Sequence, residues 1–118
     1  MSSWPRPVCH FQVLAKDPER QAAFYRELFD WDIAQNEAGI TVIGPGKGPP
    51  EEGIGGSIVP SQNAAVSVYV QVADLGESLR KAEELGGKAL TQPFDVPGGP
   101  TIAQIADPEG NLIGLVQM

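Results

Sequence analysis

A chain of 118 residues, 42% apolar and 19% charged, has the size and composition of one ordinary globular domain with a core of its own. Its net charge of −7 would repel a phosphate backbone, which argues against a nucleic-acid partner, and no apolar run reaches the roughly 18 residues of a membrane helix. The lone Cys9 excludes an internal disulfide, and the start, Met1 to Pro7, has no long apolar core, so a cytoplasmic location is expected.

Val8 to Leu14 reads as a strand whose alternation puts Cys9, Phe11 and Val13 on one face and His10, Gln12 and Leu14 on the other. Asp17-Pro18 supplies an N-cap and a proline at the first helical position. The following helix carries a stripe of Ala22, Tyr25, Leu28 and Phe29 and stops near Asp30. Short strands are predicted over Trp31 to Gln35 and Gly39 to Ile43. Gly44 to Gly53, rich in Pro and Gly, is a loop, and a fourth strand runs from Ile54 to Val59.

After a connector at Pro60 to Asn63 the pattern restarts. Val66 to Val72 is a strand, and Asp74-Leu75-Gly76-Glu77 caps a helix with a stripe of Leu75, Leu79, Ala82 and Leu85 that ends at Gly86-Gly87. Setting Asp17 on Asp74 gives an offset of 57 residues, which also places Leu28 on Leu85 and Val13 on Val70. Lys88 to Asp95, Thr101 to Ala106 and Leu112 to Gln117 supply three further strands. The last two are joined by the turn Asp107-Pro108-Glu109-Gly110-Asn111, which is how a hairpin is written in sequence. Each half is therefore strand, helix, strand, strand, strand. In the middle of the final strand stands Gly114, a residue that marks a bend or the close approach of another group.

Several segments in this order resemble the vicinal oxygen chelate superfamily, which includes glyoxalase I, bleomycin-resistance proteins and extradiol dioxygenases. They are Val8-Cys9-His10-Phe11, Asp17-Pro18-Glu19-Arg20, Phe24 to Phe29, Ala82 to Gly87 and Asp107 to Asn111. The resemblance covers nearly the whole chain. It implies an α+β fold of two tandem βαβββ modules forming curved sheets around a cavity, in a single domain over residues 1–118. Module one spans about 8–59 and module two about 66–117. It also implies a homodimer.

Metal-dependent members of the superfamily place ligands on the inner face of the sheets. By the resemblance and the 57-residue offset, the four ligand positions fall here on His10, Ser67, Gly114 and Ser57. Only the imidazole of His10 is a good ligand, and a stable catalytic site uses about three. No cofactor is therefore predicted, and the adjacent loop carboxylates Glu51 and Glu52 are the candidates to rescue a divalent-metal site that includes His10. Alternation puts His10, Gln12 and Leu14, with Ser67, Tyr69 and Gln71, on cavity walls, a mixture of hydrogen-bonding and apolar groups suited to a small organic ligand. The ligand-binding candidates are His10, Gln12, Ser57, Ser67, Tyr69 and Gly114, the small residues leaving room for ligand atoms.

Other motifs carry less. Gly44-Pro45-Gly46-Lys47-Gly48-Pro49-Pro50 lacks the Ser/Thr of a phosphate loop and its prolines remove amide donors, so it reads as a flap. Cys9, flanked by Val8 and His10, reads as core filler. Trp4 lies in a Pro-flanked tail, and Trp31 is expected in the core. The expected function is binding of a small molecule in a metal-poor cavity, as in bleomycin-resistance sequestration. The alternative is a lyase, isomerase or dioxygenase that uses His10 with a non-standard metal site, or a metal-free isomerase with His10 as general base.

Overall fold

A computed structural model describes residues 5–48 and 53–117. Trp4, Glu51 and Glu52 lie outside the described residues. Two compact units are present, one formed by His10–Ser67 and the other by the segment up to Cys9 together with Val68 onward.

In the first unit the strands run in the order β2 (Ile33–Gln35), β3 (Thr41–Ile43), β4 (Gly56–Pro60), β1 (Val8–Ala15). β4 is antiparallel to β3 and parallel to β1, with Gln12 opposite Ser57 and Phe11 opposite Gly56. Pleating sends Phe11, Val13 and Ala15 to one side, where α1 (Pro18–Phe29) lies. Val13, Ala15, Ala22, Ile33, Ile43 and Ile58 are buried together there, with Phe11, Tyr25 and Trp31 against them.

The start of α1 is fixed as the sequence implies. Asp17 Oδ1 accepts from the Arg20 amide at 3.2 Å, and Pro18 occupies the first turn. At the far end Asp30 adopts a left-handed φ of 57° and its N–H bonds to Arg26 O. The Arg26 guanidinium donates twice to Ile33 O, at 2.9 and 3.2 Å, tying the helix to β2. The expected stripe is only partly buried. Ala22 is covered and Tyr25 half-buried, whereas Leu28 and Phe29 are more than half exposed. Tyr25 instead packs edge and face in an aromatic group with Phe24, Phe29 and Trp31, at centroid distances of 5.1 to 6.1 Å.

In the second unit β5 (Ala65–Val72) pairs in parallel with β9 (Leu112–Gln117), which pairs antiparallel with β8 (Thr101–Ala106). The single strand expected over Lys88 to Asp95 is two short pieces, β6 (Lys88–Ala89) and β7 (Phe94–Asp95), both paired with β8. The break has a local cause. The amides of Leu90 and Thr91 both turn to Gln104 O, Thr91 Oγ1 takes the Gln104 N–H, and Pro93 has no amide to offer the ladder.

α2 (Leu75–Glu84) is capped by Asp74, whose side chain accepts from the Glu77 amide at 3.0 Å. It is held down by Leu75 and Leu79 packed on Val72, Ala103 and Leu115. Full burial of an aliphatic side chain of this size is worth roughly 1.5–3 kcal/mol. Leu85, expected in that stripe, is the C-cap and is exposed. Gly86, with φ of 95°, turns the chain away. Gln117 Oε1 accepts from the Leu75 amide at 2.8 Å, fixing the helix start to the last strand.

The repeat is exact where it matters. β1 and β5 have equal lengths and bounds 57 residues apart. The pair Gln12 and Ser57 recurs as Tyr69 and Gly114, and the pair Phe11 and Gly56 recurs as Val68 and Ile113. Ser57 is therefore the counterpart of Gly114 without any slip in register. The architecture is α+β, two tandem βαβββ modules.

Candidate functional site

Of the residues singled out from sequence, His10, Gln12 and Ser57 come together in the first unit. β1 presents His10 and Gln12 on the side away from α1, and β4 lies alongside with Ser57 on that same side. His10 Nε2 and Ser57 Oγ are hydrogen-bonded at 3.0 Å. Gln12 and Ser57 are buried, at 5% and 7% exposure, and His10 is half-buried. Polar side chains withdrawn from water this far need partners, and the shared bond between imidazole and hydroxyl is one.

Burial holds the His10 pKa below its usual value, since desolvation penalises the charged ring. At neutral pH the ring is uncharged. Such an imidazole has one nitrogen that donates and one that accepts. With the proton on Nδ1, Nε2 accepts from the Ser57 hydroxyl. With the proton on Nε2, it donates to that oxygen.

Whether these groups could hold a divalent ion follows from their chemistry. At the four positions assigned by resemblance stand one imidazole, two serine hydroxyls and a glycine. Among the described residues no three of His, Cys, Asp and Glu are grouped as a metal site would require. Serine hydroxyls are poor ligands beside carboxylate, imidazole or thiolate. The described donor set does not fit a catalytic divalent ion.

The remaining candidates lie on β5 and β9. Ser67 is buried on β5. Tyr69, two residues on and 7% exposed, stands directly opposite Gly114, with its ring over the glycine. A Cβ built at Gly114 would lie 2.4 Å from Tyr69 Cε2, 2.5 Å from Cδ2 and 2.7 Å from Cγ. The space beside Gly114, expected to admit ligand atoms, is filled by this ring. Tyr69 then packs with Ile102 and Val116 and with the partly buried Cys9 and Val96. Cys9 Sγ donates to Tyr69 O at 3.8 Å, and burial pushes the thiol pKa up, so it stays protonated, as expected of core filler.

Sequence reasoning missed this lock. Its signal was an aromatic residue and a glycine 45 residues apart, which meet only when the strand register is known. In the loop predicted over Gly44 to Gly53, the Gly53 amide donates to Gly46 O at 2.8 Å, and Pro49 and Pro50 of the predicted flap lie outside the described residues.

Residues 10–116 match the family model for the glyoxalase-like domain, which is nearly the whole chain. The chain is a glyoxalase-like domain. It belongs with the vicinal oxygen chelate superfamily, as its motifs indicated. A glyoxylase-like domain-containing protein from Didymella fabae is 28% identical over 112 residues, covering 88% of each chain.

Among solved structures, methylmalonyl-CoA epimerase from Streptomyces coelicolor, in complex with 2-nitronate-propionyl-CoA, superposes with a TM-score of 0.64 at 16% identity. The match covers 94% of this chain and 93% of that one. The Mn(II)-bound glyoxalase from Novosphingobium aromaticivorans superposes at 0.66 with 17% identity, over 93% of this chain and 38% of that longer one. At these identities the likeness carries the fold of the glyoxalase-like domain and no more.

Proposed function

We propose that this glyoxalase-like domain binds a small organic molecule through shape and hydrogen bonds, making and breaking no covalent bond, as in the sequestering branch of its superfamily. The observation that carries the reading is the His10–Ser57 pair: a neutral imidazole and a hydroxyl 3.0 Å apart, at positions where metal-dependent members of the family hold an ion. Gln12, buried beside them, adds an amide. A neutral face of this kind suits an uncharged polar group on an otherwise apolar molecule, because no buried charge has to be compensated. The proposal includes pairing of two copies as a homodimer, since the short outer strands of each unit leave edges that pairing would cover.

A second reading has support from one specific feature. An imidazole kept uncharged by burial is a competent proton acceptor at neutral pH, so His10 could serve a metal-free isomerisation as general base, with Ser57 setting its ring. The test is a thermal-shift screen in EDTA of small phenols, amides and carboxylic acids against the wild type, His10→Ala and Ser57→Ala. The binding reading expects stabilisation by a subset of compounds that is lost in His10→Ala and reduced in Ser57→Ala. Stabilisation that survives in His10→Ala would remove this face from the site. Solvent deuterium appearing in a bound compound, dependent on His10, would establish the isomerase reading.

A further inference from the structure

A concavity lies where the end of β1 leads into α1. It is open, about 470 Å3 in volume, and lined by Ala15, Lys16, Asp17, Arg20, Gln21, Phe24 and Ala64. The volume is in the range that holds a small-molecule ligand. Alternation along β1 puts Ala15 with Val13 under α1, the side opposite His10 and Gln12, so this concavity and the His10 face do not share a wall of β1.

Its lining has a definite chemistry. Arg20, Gln21 and Phe24 are three and four residues apart on α1 and so stand together on one flank of the helix. Phe24 is 55% exposed and is steadied by an edge contact with Tyr25 at 5.3 Å and 76°. The chain has only 8 basic residues against 15 acidic, yet two of the 8 meet here. Among the described residues the ion pairs are those of Arg80 with Glu77 and Glu84, so neither Lys16 nor Arg20 is neutralised by a salt bridge. The one carboxylate in the lining, Asp17, is engaged as the helix cap, with Oδ1 on the Arg20 amide.

From these walls we infer that the concavity is a binding site for a flat aromatic ring carrying an anionic group, of about mononucleotide size. The ring lies on the exposed Phe24 face, the anion is taken by the Arg20 guanidinium and the Lys16 ammonium, and the Gln21 amide contacts a polar edge of the ring. The small side chains of Ala15 and Ala64 leave the space the ring needs. The site does not rest on the proposed function at His10, and either can fail without the other.

The test is an amide-resolved NMR titration of the 15N-labelled full chain with AMP, 2-naphthoate, adenosine and inorganic phosphate. AMP and naphthoate separate the two sources of an aromatic anion. The expected result is saturable movement of the amide signals of residues 16–24 and 64 by at least one of these two. Adenosine and phosphate, each lacking one half of the ligand, should bind more weakly by about tenfold, as should the aromatic anion in the Lys16→Gln/Arg20→Gln and Phe24→Ala variants, a change of roughly 1.4 kcal/mol. The inference is overturned if neither aromatic anion gives saturable shifts at these residues, if adenosine or phosphate alone binds as tightly, or if the double variant binds unchanged. All three replaced side chains are exposed or half-exposed, so the folded spectrum of each variant serves as its own control.

Discussion

Replacing Gly114 by alanine puts a single methyl group where Tyr69 already lies. The new Cβ would meet Tyr69 Cε2, Cδ2 and Cγ at 2.4, 2.5 and 2.7 Å, all well inside van der Waals contact. Because Cγ is the root of the ring, swinging the far edge aside does not relieve the clash, and the whole ring must rotate about χ1. That movement is resisted by Ile102 and Val116, which are buried against it. Overpacking of this kind costs about 1–3 kcal/mol, opposed by the roughly 0.5–1 kcal/mol that alanine gains over glycine in regular structure. The net expectation is a loss of up to roughly 2.5 kcal/mol, centred on about 1 kcal/mol, read as a lower denaturant midpoint at unchanged slope. The same substitution in a Tyr69→Ala background meets no ring and should be neutral or slightly stabilising, giving a coupling energy of about 1–3 kcal/mol between the two sites. If Gly114→Ala has the same effect in both backgrounds, to within about 0.5 kcal/mol, the ring does not occupy that space.

The remaining predictions concern the other unit and the titrating groups. Gly56→Ala should be at least as damaging and should not be rescued by Phe11→Ala, because its Cβ would meet the Phe11 backbone oxygen at 2.7 Å as well as the ring; full rescue in the double variant would contradict this. Ser57→Ala removes the hydroxyl partner of His10 and should cost about 0.5–1.5 kcal/mol in denaturant unfolding, with the His10 ring signals displaced; unmoved ring signals would mean the bond is not made in solution. Since the folded pKa of His10 lies below its unfolded value of about 6.5, the native state binds fewer protons. Stability should therefore be fully present above pH 6.5 and decline as pH falls through the folded value, and His10→Gln should flatten that part of the profile. Asp107 is also held below its ordinary range, by bonds to Asn111 and to the amides of Glu109 and Gly110, so a separate decline belongs at lower pH, beginning near 3.8, and should be absent in Asp107→Asn.

Much of the architecture was legible because local chemistry and the repeat agreed. Asp17-Pro18 and Asp74 each cap a helix as their sequences imply, and the 57-residue offset reproduces even the strand register. What escaped was decided by tertiary geometry. Leu28 and Leu85 fit an amphipathic stripe by spacing, but each falls at the end of its helix, where the sheet no longer covers it, and both are exposed. The break between β6 and β7 comes from a carbonyl shared by two amides, which no propensity encodes. That His10, Gln12 and Ser57 share a face was readable because alternation and offset put them there. The role of Gly114 was not, because a missing side chain does not reveal which neighbour fills its place.

His10 is the only histidine in the chain, so its two ring nitrogens give an isolated pair of signals in a long-range 15N–1H spectrum, and these report directly on the proposed binding face. In tag-free protein with EDTA at pH 7, the expected pattern is that of a neutral imidazole, displaced saturably by an organic compound identified in the thermal screen. Stoichiometric Zn2+ or Mn2+, added after the chelator is removed, should leave it unmoved. Signals that shift with one equivalent of metal, and respond to organic compounds only when that metal is present, would contradict it.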